Sequence, residues 1–114
     1  MSESILDSVK HAIGGITTDY TVFDDDIIMH INTAFSTLWQ LGVGPAEGFS
    51  ITDSSEEWSD FIDDGPIQRM SRDFVVKTVQ LLFDPPQSGT LSDVIDRQLN
   101  ELTFRLHIAV NPEE

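Results

Sequence analysis

The chain has no cysteine among its 114 residues. A disulfide framework and thiolate metal sites are therefore excluded, and the composition fits a reducing compartment. Positive charge is nearly as scarce. Twenty Asp and Glu face only six Lys and Arg, for a formal charge of −14. So acidic a surface repels phosphate, which argues against ordinary DNA or RNA binding and against anionic lipid. No apolar run approaches the ~18 residues of a membrane span. The start, "MSESILDSVKHAIGG", lacks the basic and apolar blocks of a secretory signal, so none is expected. Internal repeats and low-complexity tracts are also missing.

What remains is a globular composition, with 39% hydrophobic residues. The length suggests one domain, residues 1–114, with a modest core. The charge is unevenly placed. Residues 1–66 hold 13 acids and one base, Lys10, whereas residues 67–114 hold seven acids and five bases.

Apolar periodicity predicts an all-α fold: a small bundle of four to five helices, with a long loop between the second and third. The first helix is expected over Glu3–Ile13, with Ile5, Leu6, Val9, Ala12 and Ile13 on one face. Ser2 is its expected N-cap, and Gly14–Gly15 its stop. Residues 16–23 read as a linker, extended in part.

The second helix begins at "DDD" and ends at "LGVGP". Asp24 is the expected N-cap, with Asp25 and Asp26 favoured by the helix dipole. At 100° per residue, Ile27, Ile28, Ile31, Ala34, Phe35, Leu38, Trp39 and Leu41 fill an arc of roughly 160°, wider than the usual ~100° core stripe. This breadth implies more apolar surface than one small bundle hides.

The loop "GVGPAEGFSITDS", residues 42–54, contains "FSI", which alternates enough to pair briefly as a strand. In "SSEEWSDFI", Ser54 and Glu57 suggest a capping box ahead of a two-turn helix with Trp58, Phe61 and Ile62 on one face. The fourth helix, about Ile67–Phe83, is apolar nearly all round and so is expected at the centre. "DPP" stops it. The fifth runs from Thr90 or Ser92 to about Val110, where Pro112 ends it. Its core stripe is Leu91, Val94, Ile95, Leu99, Leu102, Leu106 and Ala109. Phe104 and Ile108 lie one turn apart on the opposite side and form a second apolar patch.

No catalytic constellation is legible. His11, His30 and His107 fall on three different helices without HxxxH or HExxH spacing, so no metal site is expected. Segment 53–65 mimics an EF-hand loop, but Trp58 stands where the turn needs glycine. "GVGPAEG" lacks the lysine and preceding strand of a phosphate loop. No cofactor is expected. The candidate functional residues are instead protein-interface residues: Trp39, Phe49, Trp58, Phe61, Phe104 and Ile108. Aromatics ringed by polar residues are favoured interface anchors. For Trp58, Phe61 and Phe49 the alternative is closure over one another as a satellite core.

The order of segments resembles the head-to-tail connector proteins of tailed bacteriophages, also called head-completion or adaptor proteins. The likeness lies in "FDDDIIMHINTAFSTLWQLGVGPAEGFSI", "EEWSDF" and "KTVQLLFDPPQSGTLSDVIDRQLNELTFRL", and the pairing of "HIN…LxQLGVGP" with "LLFDPP" is its most specific part. The resemblance implies a non-enzymatic α-helical ring subunit, commonly in twelve copies, beneath the portal of the capsid. Such a ring extends the DNA channel without gripping DNA specifically and receives a stopper or tail-completion protein. The implied location is the virion neck, after assembly in the bacterial host cytoplasm, with no membrane partner. Only "NPEE" follows the last helix, so any C-terminal reach to the portal is short or involves the helix end. The competing reading is an acidic DNA mimic that inhibits a DNA-binding host protein. It requires carboxylates spaced like phosphates, whereas these cluster at helix starts and in 53–64.

Overall fold

The computed structural model describes residues 3–111. Ser2 and Pro112, assigned above to helix ends, lie outside them. The described residues form five helices and no strand: α1 (Ile5–Gly14), α2 (Asp24–Gln40), α3 (Trp58–Phe61), α4 (Gly65–Phe83) and α5 (Gly89–Val110). α4 packs against each of the other four, so it stands at the centre as expected, although its buried positions are only Ser71, Phe74, Val75 and Val79 and Leu82 is exposed. The body measures 44 × 35 × 22 Å. Its thin dimension is about two helix diameters, so the bundle has two broad flanks rather than a spherical surface.

Local chemistry sets the helix ends. The N-cap of α1 is Ser4, whose Oγ accepts the Asp7 N–H at 3.2 Å. Gly15 ends α1 in the left-handed region, at φ 66°, and its N–H bonds to the His11 and Lys10 carbonyls. Only glycine takes that conformation without strain. Asp64 caps α4, with Pro66 in the first turn, so "DDGP" opens α4 as well as closing α3. Ser88 caps α5.

Two expected caps are replaced. Asp24 is the first residue of α2, not its cap; Phe23 stands at the cap without a side-chain bond. The Asp24 carboxylate turns instead to the Lys10 ammonium, 2.8 Å away. The capping box at α3 is Glu57–Asp60, three residues later than the expected Ser54–Glu57. Glu57 is the N-cap, and its N–H donates to Asp60 Oδ2 at 2.9 Å. As a result α3 is one turn, not two. The reason is tertiary: the Ile5 N–H donates to the Glu56 carbonyl (3.0 Å) and the Trp58 N–H to the Glu3 carbonyl (3.2 Å). This antiparallel bridge between Ser4 and Glu57 holds 56–57 extended and out of the helix.

One core gathers residues from every element, including Ile5, Val9, Ile27, Ile31, Phe35, Leu38, Trp58, Phe74, Val75, Val79, Leu102 and Leu106. Truncating a large member such as Phe35 to alanine should cost about 3–5 kcal/mol. Three assignments differ from the periodicity. Ala12 is exposed, while Lys10 and Ser8 on α1 are buried. Leu91 is exposed, and Val94, Ile95, Leu99 and Ala109 are only half-buried, because α4 is the main neighbour of α5 and covers a narrow stripe of it. The linker is turned rather than extended. The Tyr20 N–H bonds to the Thr17 carbonyl (3.1 Å) and the Asp24 N–H to the Thr21 carbonyl (3.2 Å).

Candidate functional site

Six residues were marked as interface candidates from sequence, and the structure sorts them by depth. Trp58 and Phe61 are interior residues, 1% and 4% exposed, so they are not available as surface anchors. Trp58 donates its indole N–H to Ser8 Oγ at 2.9 Å, and Ser8 Oγ donates to the Ile5 carbonyl at 3.0 Å. The Arg72 guanidinium lies 5.8 Å from the centre of the Trp58 ring and reaches Glu3 at 3.0 Å. Phe61 meets Phe35 at 4.8 Å between ring centres. Phe49 is half-buried over both, 5.0 Å from Phe35 and 5.4 Å from Phe61. The short α3 is thus pinned by joining the main core, not by a separate satellite.

The other three candidates stay outside. Phe104 is 64% exposed, Trp39 52% and Ile108 49%. The breadth of the α2 arc has a simple resolution: Ile27, Ile31, Ala34, Phe35 and Leu38 enter the core, Ile28 and Leu41 are half-buried, and only Trp39 at the arc's edge remains in solvent.

The loop around Trp39 is held from several sides. Val43 and Ile51 are buried. The Asn32 side chain brackets Ile51: its Oδ1 accepts the Ile51 N–H (2.8 Å) and its Nδ2 donates to the Ile51 carbonyl (3.0 Å). "FSI" therefore forms no strand: the Ile51 backbone is satisfied by an amide side chain on a helix instead. The Trp39 indole N–H donates to the Ala46 carbonyl at 2.9 Å. The ring stands between two shallow clefts, one of about 240 Å³ shared with Phe35, Ser36, Glu47 and Phe49, the other of about 350 Å³ shared with residues 42–46.

A further exposed aromatic group escaped the sequence reading. Tyr20 and Phe23 are exposed, and Phe23 sets its ring edge-on to Phe83 at 5.4 Å. Val22 beside them is 72% exposed. A β-branched linker carries no helical period, so only its aromatic content could have signalled this patch.

Charge follows the same division. Lys10, the single Lys or Arg of residues 1–66, is 0% exposed and bonded to Asp24 and to the Tyr20 carbonyl, each at 2.8 Å. The surface contributed by those residues therefore shows thirteen acids and no Lys or Arg side chain. The acids of 53–64 serve local backbone. Glu56 accepts the Thr52 and Asp53 N–H groups, Asp60 that of Glu57 and Asp64 that of Ile67. Asp53 is held below the ordinary 3.8 by the hydrogen bonds its carboxylate accepts from the Ser55 hydroxyl and N–H. Carboxylates directed at their own backbone suit capping better than mimicry of a phosphate ladder. Among the described residues, no group of three or more His, Cys, Asp or Glu is placed to hold a metal ion. No helix among them is long and apolar enough to cross a membrane.

A family model for phage connector proteins matches residues 5–113, nearly the whole chain. The chain belongs to the phage connector protein family. No curated protein and no solved structure matches it significantly.

Proposed function

We propose that this connector is a structural, non-catalytic subunit of the phage neck. Copies form a ring beneath the portal, extend the DNA channel and offer a platform to a stopper or tail-completion protein. Assembly takes place in the host cytoplasm, and the product is part of the virion. The observation that carries this reading is the pair of exposed apolar sites on different helices, Trp39 on α2 and Phe104 with Ile108 on α5, in an otherwise acidic chain. A ring closed by head-to-tail contacts needs two unlike faces on each subunit. Its acidic surface suits a DNA passage, since it offers phosphate no counterion-releasing contact.

The same charge opposes self-assembly. At low salt, repulsion between copies of charge −14 reaches across tens of ångströms, so the free subunit should be largely monomeric until a portal concentrates it. The test is co-sedimentation and electron microscopy with purified portal rings. The native connector should add a ring to the portal. Phe104→Asp, at a site 64% exposed, should keep its melting temperature and lose the ring. Unchanged portal binding and ring formation by a folded Phe104→Asp chain would remove the patch from this account. A prominent ring from free micromolar subunit at low salt would contradict the template requirement.

A further inference from the structure

Between Asp26 and Glu47 the chain has twenty consecutive residues without Asp, Glu, Lys or Arg. Most of α2 lies in that window, so its solvent face carries no charge beyond the first turn. Met29, Thr33, Ser36 and Gln40 line that face, and all are exposed. The hydroxyls of Thr33 and Ser36 bond back to the carbonyls of Met29 (3.0 Å) and Asn32 (3.1 Å). Their hydroxyl protons are thus already donated within the helix. At the end of this face stands Trp39, fixed upright by its bond to Ala46. One wall of its cleft is Glu47, and the last turn of α2 has no basic residue to offset its negative dipole end.

The outer face of α5 has complementary features. Phe104 and Ile108 project from it, and Arg105 adjoins Phe104 with 58% of its side chain exposed, held only at 3.8 Å by Glu101. So loose a surface pair is readily exchanged for a better partner. α2 and α5 each pack along α4, and neither packs substantially on the other. One chain therefore does not mate its own two faces.

We infer that Phe104 and Ile108 of one copy dock on the uncharged outer face of α2 in the next copy, with Phe104 at the Trp39 cleft and Arg105 reaching Glu47. The inference rests on the ring reading and specifies its subunit contact. Charge selects the occupant. A chain of −14 meets itself most readily where like charges are few, and these two faces join a charge-free surface and the Glu47 side of the cleft to an aromatic residue beside Arg105, which exchanges its loose pairing with Glu101 for Glu47.

The native chain has no cysteine, so single cysteines report contacts without ambiguity. Thr33→Cys and Asn100→Cys both fall on exposed positions beside the proposed contact. The two variants are mixed on portal rings, and a short bis-maleimide linker is added. The expected product is the mixed 33–100 dimer, in large excess over 33–33 and 100–100 dimers. Glu47→Lys and Arg105→Glu should each lower the mixed yield about tenfold, and the double variant should restore most of it. Rings seen by microscopy with only like–like products, or with no cross-link between copies, overturn the inference and leave the ring reading standing. A portal–connector cross-link from either position without the mixed dimer assigns these faces to the portal and also overturns it. Equal loss in both single charge variants and the double variant removes the Glu47–Arg105 contact. Failure of the native connector to form any ring defeats the proposed function itself.

Discussion

Lys10 Nζ lies 2.8 Å from Asp24 Oδ1, joining the middle of α1 to the first residue of α2. The lysine side chain is 1% exposed and the aspartate 22%. The same ammonium donates to the Tyr20 carbonyl at 2.8 Å. One ammonium therefore ties both Tyr20, inside the linker, and Asp24, at its end, to α1.

The unequal exposure of this pair orders its variants. Asp24→Ala leaves an ammonium with no counterion in the interior, and should destabilise the fold by about 3–5 kcal/mol. Lys10→Met keeps the volume and leaves a carboxylate whose side chain is 22% exposed but whose Oδ1 is buried, so it should cost less than Asp24→Ala without being free. Chemical denaturation of both variants checks the order, and a larger loss for Lys10→Met would show that the packing of the lysine stem, not the charge, dominates.

Asn32 makes two bonds to the backbone of Ile51, a residue 1% exposed. Asn32→Ala strands both groups and should cost about 2–4 kcal/mol. Amide exchange gives the sharper readout. The Ile51 N–H should lose its protection by local opening, while amides in the middle of α4 still report global unfolding. Unchanged protection at Ile51 would mean that the loop is held by its apolar contacts alone.

Gly44 has φ +93°, and a Cβ there would overlap Phe61 Cε1. Gly44→Ala meets both the backbone strain and the ring, and should cost about 2–4 kcal/mol. Gly14, in the last turn of α1, has no neighbour within 4 Å of an added Cβ. Gly14→Ala should raise stability by about 0.5–1 kcal/mol. Thermal melts of the two variants should move in opposite directions.

The two tryptophans should respond unequally. Trp58→Phe removes the buried bond to Ser8 and should cost about 1–2 kcal/mol. Trp39→Phe, at an exposed site, should stay within about 0.5 kcal/mol of the native chain. Each variant keeps one indole. The Trp58 signal should be blue-shifted and shielded from acrylamide, and the Trp39 signal quenched until copies assemble. A Trp39 signal equally quenched in free and assembled connector would exclude Trp39 from the contact.

Asp53 supplies a pH dependence. Its carboxyl titrates lower in the fold than in the unfolded chain because Ser55 bonds to the charged form. The stabilisation is therefore complete above the ordinary value near 3.8 and disappears as pH falls through the lowered folded value. Asp53→Asn should weaken the fold at pH 7, and the difference should shrink as the pH is taken below 3.8. Denaturant midpoints across that range, with a carboxyl NMR titration of Asp53, test this.

The elements readable from sequence are those whose causes are local. α4 is legible as a helix from its run of apolar residues at helical spacing, and "DPP" stops it because neither proline has an N–H to give the ladder. Phe104 and Ile108 could be placed outside because they oppose a regular stripe containing Leu102 and Leu106. The family was legible in the same way, from the succession of segments along the chain.

Distant partners decided the rest. Asp24 looked like a cap because nothing in "FDDDII" shows that Lys10 arrives from another helix. Trp58 and Phe61 looked as fit for a surface as for a core; the Ser4–Glu57 bridge and Phe35 drew them inside. Periodicity alone determines which residues share a face of a helix, since that depends on 3.6 residues per turn. Whether a face is covered depends on which other helix lies against it, and that distance along the chain is invisible to any local window. For α2 and α5, the contacts with α4 settled which side went in and which was left to solvent.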